Sequence, residues 1–268
     1  MVKIHQLSVV DTQAEIADDV EIGPFCTVGP HVKIGAGTKL ISHVVIDGFT
    51  TIGARNTMYP YASLGLLAQH KRSNAPDATL TVGDDNIFRE HFTAHVGSEV
   101  DQKKTIIGSR NWFLAYAHVA HDCVLGNDIV MSNNASLAGH ARIDDRATIS
   151  GFSGVAQFVR IGEGAFLNAG AFGLKDVIPY GIVMKDGMGR KGLAGLNLIG
   201  LQRMGVEKQD IFTLQKAYAA LFDKSNSTFA ERIAAVEANA DFMKNALVQK
   251  VIAFVKAPSK NNILMPEE

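Results

Sequence analysis

The chain has 268 residues, 47% of them hydrophobic, with 26 Lys and Arg against 27 Asp and Glu. This apolar content suffices for one large core plus a smaller domain and excludes disorder and collagen. The balanced charge excludes a global cationic field for nucleic acid or an anionic membrane, so any anion must be bound locally. No apolar stretch reaches the roughly 18 residues of a membrane span. The opening MVKIHQLSVVDTQAEI lacks the regions of a signal peptide, so the expected location is cytoplasmic.

From position 22 every sixth residue is a branched or large apolar side chain: Ile22, Val28, Ile34, Leu40, Ile46, Ile52, Met58, Leu64. The frame is lost across 66–79, returns at Val82, Phe88 and Ala94, slips across 98–104, and then runs unbroken from Ile107 to Leu167. A period of six fits neither an amphipathic helix nor an alternating strand. A small or β-branched residue stands two places before many of these positions (Val20, Cys26, Val32, Ala117, Cys123, Ala135), and Gly often follows, as in Ile22-Gly23. One short strand and one turn thus use six residues. The expected fold is mainly β: a parallel β-helix of triangular section with about 18 residues per coil, stacked about 4.8 Å apart. Residues 1–187 are assigned to it, and the segments 66–79 and 98–104 leave it as loops suited to carry binding groups.

Both cysteines, Cys26 and Cys123, take the small inward position, where a thiol acts as a modest hydrophobe, and no disulfide is expected. Residues 188–268 form a C-terminal helical domain. After a Gly-rich stretch, Ile211, Leu214, Ala217, Tyr218 and Leu221 mark one apolar helix face. Thr228-Phe-Ala-Glu231 reads as a capping box, and a third helix around 239–256 stops before Pro258. These helices are expected to cap the last coil and cover its edge.

Stacking by coil places His121 under Gly139 and, one coil further, Gln157, with His140 beside Gly139 and His118 on the same coil as His121. Val119 and Cys123 are inward, so His118 and His121 face away from the prism's core. A His titrates near neutral pH and is suited to take a proton from a sugar hydroxyl, so His121 is the expected general base. Asp122 would orient its ring, provided a turn lets sequence neighbours meet. The backbone N–H of Gly139 is placed to stabilise an oxyanion, and the missing Cβ leaves room for a thioester. The same histidines allow a second reading, a bound zinc with an activated water, as in a zinc-dependent hydratase.

With Ala117-His118-Val119-Ala120-His121-Asp122-Cys123, Asn133-Asn-Ala-Ser-Leu-Ala-Gly-His140 and Ile22-Gly-Pro-Phe-Cys-Thr-Val-Gly-Pro-His-Val32 in view, the chain resembles the acyl-ACP:UDP-N-acetylglucosamine O-acyltransferases of lipid A biosynthesis over nearly its whole length. The resemblance implies a left-handed β-helix and a homotrimer with active sites in the clefts between subunits. It also implies transfer of a β-hydroxyacyl chain from acyl carrier protein to the 3-hydroxyl of UDP-N-acetylglucosamine, with no cofactor. By match, His121 is the base, Gly139 the oxyanion donor, and His118 and His140 contact the sugar. Gln157 faces the nucleotide, while Asn197 and Arg203 meet phosphates, for which a guanidinium is apt. Ala169 falls near the position that measures acyl length in relatives.

Two departures bear on the acceptor. Where the family carries an Asp that touches the sugar and a Lys two residues on, this chain has His70 and Arg72, and where the family has a His before Gln157 it has Ala156. Acyl transfer survives these changes as a reaction class. A paralogous O- or N-acyltransferase acting on another UDP-sugar is the alternative.

Overall fold

The computed structural model describes residues 1–71, 73, 75–185, 191–223 and 227–266. The two candidate elements that fall outside them are Arg72 and the expected 187/188 domain boundary. Most hexads form a two-residue strand with one residue out and one in, as in Thr27–Val28, where Thr27 is exposed and Val28 is 1% exposed. Every residue of the apolar frame is buried, from Ile22 and Val28 through Val82, Phe88 and Ala94 to Ile161 and Leu167. Parallel ladders link residues 18 apart, such as Lys3 with Glu21. The strands sort into sheets of eleven, nine and eight strands, here called faces 1, 2 and 3. They enclose one apolar core.

Corners between faces hold non-glycine residues in the left-handed region, among them Asp122 (φ 60°), His140 (φ 65°) and Phe158 (φ 63°). Each such residue costs about 1 kcal/mol. Inter-coil hydrogen bonds hold them there, such as His140 N–H to His121 O at 3.0 Å.

The two frame breaks are insertions that leave the coil register intact. Thr57 pairs with Ile87, 30 residues on instead of 18, so 12 are inserted. Thr93 pairs with His118, 25 residues on, so 7 are inserted. The first insertion runs between Ser63–Leu66 and Thr79–Val82, the second between Thr93–His95 and Lys104–Ile107. Both therefore leave the prism at the edge between faces 2 and 3, on successive coils.

The C-terminal part differs in detail from expectation. An antiparallel hairpin, Gly181–Lys185 with Lys191–Leu196, extends face 1, its second strand falling within the Gly-rich stretch. Helix α1 (Leu198–Arg203) follows, capped by Asn197, whose side chain accepts from Gly200 N–H. Helix α2 (Lys208–Leu221) buries Ile211, Leu214, Ala217 and Leu221, and α3 (Phe229–Ala238) opens on the expected Thr228–Glu231 capping box. The expected single helix over 239–256 is two, α4 (Ala240–Met243) and α5 (Ala246–Lys256). Asn245 causes the break: its side-chain oxygen accepts from Leu247 and Val248 N–H while its amide donates to Asp210. No helix among the described residues is long and apolar enough to cross a membrane. Cys26 and Cys123 are free and buried, and burial pushes the Cys123 thiol up to about 12.

Candidate active site

His121 lies at the corner between faces 2 and 3, after the strand His118–Val119. Its ring points out of the prism as the frame requires, yet its side chain is only 5% exposed, because the insertions cover that corner. The turn that brings neighbours together exists: Asp122 takes a left-handed φ, and His121 Nδ1 meets Asp122 Oδ2 at 2.9 Å. Asp122 is fully buried at its side chain. It accepts from the Ser98 N–H at 3.0 Å and from the Ser98 hydroxyl, both supplied by the second insertion. Three donors converge on one carboxylate, whose two oxygens have acceptor sites for all of them. His121 Nδ1 then carries the proton, leaving Nε2 bare to act as a base.

Gly139 sits one coil on, against the imidazole. A Cβ there would lie 2.5 Å from His121 Cε1 and 2.8 Å from Nε2. The missing side chain thus makes room for the catalytic ring itself, where sequence reasoning assigned the space to a thioester. The Gly139 N–H has no acceptor among the described residues, so base and donor stand side by side.

Around this pair the rings stack. His140 meets His121 edge-on at 5.1 Å, and so does His70, from the first insertion, at 5.4 Å. Asp101 of the second insertion holds His140 Nδ1 at 2.8 Å. His118 Nδ1 pairs with Thr93 Oγ1 at 2.8 Å, and His95 Nδ1 with Leu67 O at 3.1 Å. Burial first, then His118 and His121, pushes His95 down to about 4, and burial also lowers His118. Both are therefore neutral near pH 7.

A groove of about 490 Å³ opens from His121 and His118 along face 2, and Gly139 and Gln157 line it. Its floor is small where it crosses successive coils, at Ser136 and Gly154, which stand in register above His118. It stops at Phe172, in register one coil beyond Gly154, with Leu174 beside it. The Phe172 ring folds back over Gly154, where a Cβ would come within 2.8 Å of Cδ1. Ala169 is not on the wall of this groove.

The structure thus brings together His70, His118, His121, Asp122, Gly139, His140 and Gln157. It does not bring Asn197 and Arg203 to them within one chain. Asn197 Nδ2 donates to Gly164 O at 3.0 Å, at the corner between faces 3 and 1, and Arg203 lies exposed at the end of α1. Sequence reasoning missed Ser98, Asp101, Thr93 and His95. Position offered one signal, since Thr93 and His95 straddle the inward Ala94.

The metal reading finds a different ligand set. Ligand atoms of His121, Asp122 and His140 lie within 4.8 Å of one another and could hold a cation. His118 is not in that group. A metal bound there would have to displace hydrogen bonds that Asp122 and His140 already make to Ser98 and Asp101.

Residues 176–264 match the family profile described as UDP N-acetylglucosamine O-acyltransferase, domain 2, and residues 13–48 match bacterial transferase hexapeptide (six repeats). The acyl-[acyl-carrier-protein]–UDP-N-acetylglucosamine O-acyltransferase of Mesorhizobium japonicum is 45% identical over 98% of this chain and 92% of its own. The chain belongs to the UDP-N-acetylglucosamine O-acyltransferase family. The Bartonella quintana member is 44% identical over 99% of this chain and 94% of its own. The solved Francisella novicida UDP-N-acetylglucosamine acyltransferase superposes with a TM-score of 0.92 at 33% identity, covering 100% of this chain and 95% of that one. Like the family's, the coils form a left-handed β-helix.

Proposed function

We propose that this protein transfers a β-hydroxyacyl chain from acyl carrier protein to the 3-hydroxyl of UDP-N-acetylglucosamine, the first step of lipid A biosynthesis. The observation that carries the assignment of residues is the contact of the His121 ring with Gly139, beside an open groove. His121 Nε2 takes the proton of the sugar hydroxyl as its oxygen attacks the thioester carbonyl. The oxyanion forms next to the Gly139 N–H. Collapse of the tetrahedral intermediate breaks the C–S bond, and the proton held by His121 passes to the leaving thiolate. Asp122, fixed by Ser98, steadies the imidazolium between these steps.

The groove across Ser136 and Gly154 suits the acyl chain, with Phe172 as its end wall. His118, kept neutral, and His140 flank the acceptor sugar together with His70, and Gln157 faces the nucleotide. Arg72 is assigned to the same substrate by its match in sequence alone. Asn197 and Arg203 stand at a different corner, so they reach phosphates of the same substrate only from a neighbouring subunit. That arrangement supports a homotrimer with shared clefts.

The test is turnover by the purified protein with β-hydroxyacyl carrier proteins of several lengths against a panel of UDP-sugars, including the 3-amino analogue, with and without chelator. Ester formation on UDP-N-acetylglucosamine that survives chelation is the expected result. Turnover only with the amino sugar would move the acceptor, and loss on chelation would revive the metal reading.

A further inference from the structure

The C-terminal segment after α5 does not trail into solvent. Asp176 N–H donates to Asn262 O at 3.0 Å, Leu264 N–H to Asp176 O at 2.7 Å, and Leu193 N–H to Met265 O at 3.2 Å. These bonds strap the segment across the prism wall beside the active-site edge. Asn261 also approaches Gln157, its side chain donating to the Gln157 carbonyl at 3.5 Å.

The strap delivers one cation. Lys260 Nζ lies 3.9 Å above the Phe158 ring, whose centroid is 4.3 Å from the stacked His140 ring, which in turn meets His121 at 5.1 Å. Lys260 is the shared wall of two adjoining clefts. One, of about 490 Å³, holds His70, Lys71, His140 and Gln157; the other, of about 630 Å³, holds Arg142 and Arg160. The two carboxylates that line these clefts are held by hydrogen bonds, Asp101 to His140 and Asp122 to Ser98 and His121, while Asp176 pairs with Arg160. Lys260, Lys71 and Arg142 form no ion pair among the described residues. The lining of the two clefts counts four cations, Lys71, Arg142, Arg160 and Lys260, against two carboxylates, Asp101 and Asp122, an excess of positive charge that favours an anion.

We propose that Lys260 binds the diphosphate of the sugar nucleotide, making the C-terminal strap a working wall of the acceptor site. The assignment rests on the proposed function for the identity of the acceptor. Phe158 would set the height of the ammonium by holding it against the ring face. The strap's bonds run through backbone groups of Asn262, Leu264 and Met265, so the Lys260 side chain can be changed without unpinning it.

The test uses the full-length protein with Lys260→Ala and Lys260→Arg. Lys260→Ala should raise KM for UDP-N-acetylglucosamine about 5- to 10-fold, with kcat within about twofold and KM for the acyl carrier protein unchanged. Lys260→Arg should recover most of the loss. By calorimetry, affinity for UDP should fall by a similar factor while affinity for uridine stays the same. Unchanged UDP affinity would overturn the proposal, as would an equal loss for uridine, which would mark a merely structural strap. A rise confined to KM for the acyl carrier protein would also overturn it. UDP binding is read without turnover, so a protein that binds UDP through Lys260 but acylates a different acceptor would overturn the proposed function and leave this inference standing.

Discussion

Two edges of the same prism use the same left-handed corners for opposite ends. At the edge between faces 3 and 1 the corner residues alternate in charge. Arg55 grips Asp85 through two bonds of 2.7 Å, Arg110 grips Asp128 through two of 2.8 Å, and Arg146 meets Glu163. Each charge there is answered by its neighbour on an adjacent coil. At the edge between faces 2 and 3 the corner residues are Asp122, His140 and Phe158, and their polar partners come from outside the coil, from Ser98 and Asp101. That difference frees the catalytic nitrogen. A ladder that pairs within itself has nothing left to offer a substrate, whereas partners brought in by insertions hold one face of an imidazole and leave the other open.

The largest effect that tests this contrast is His121→Ala, which should cut turnover about 10²- to 10⁴-fold. Because the ring is buried against Gly139, some loss of thermal stability should accompany it, yet the fold should remain intact by circular dichroism. A folded variant with a tenth or more of the native rate would remove His121 from the mechanism. Ser98→Ala should cost about 10- to 100-fold in kcat, the scale of a lost orienting partner, while Arg110→Ala at the other edge should leave kcat within about twofold. Equal effects at the two edges would erase the distinction.

Phe172→Ala should lengthen the groove and shift preference toward longer acyl donors. Each added buried methylene is worth about 0.8 kcal/mol, or roughly fourfold in relative kcat/KM. An unchanged length profile would place the acyl chain elsewhere.

The smallest effect concerns pH. The native state holds His95 near 4, whereas in the unfolded chain it titrates near 6.5. As pH falls below about 6.5 the unfolded chain takes up a proton that the native state refuses until about 4. The stability present above that window is lost across it, on the order of 3 kcal/mol. His95→Gln should flatten this part of the profile in denaturant titrations. An identical slope would mean that other groups set the acid limit.

How much of this was legible depended on whether a residue obeyed the coil. The inward frame from Ile22 to Leu167 fixes the corners, and the corners place His121 beneath Gly139, because the repeat converts sequence distance into height. Ser98 and Asp101 come from an insertion, whose path no periodicity describes, and Lys260 arrives from a tail pinned by backbone bonds. Phe172 was visible as a residue in register with Gly154, yet its ring direction was not. Asn197 was assigned to the site by resemblance, and its place at another corner follows from its cap on α1 and its bond to Gly164. The division of the long terminal helix turned on one side chain, Asn245, which competes for the backbone donors after it.

The unequal duties of the two insertions have a practical side. Among the described residues the first meets the base through the edge of His70, while the second anchors the carboxylate behind it. Register resumes on both sides of each. The earlier segment can therefore be exchanged between relatives like a tool head to retune what is acylated, and the later one behaves as part of the engine and tolerates no such swap.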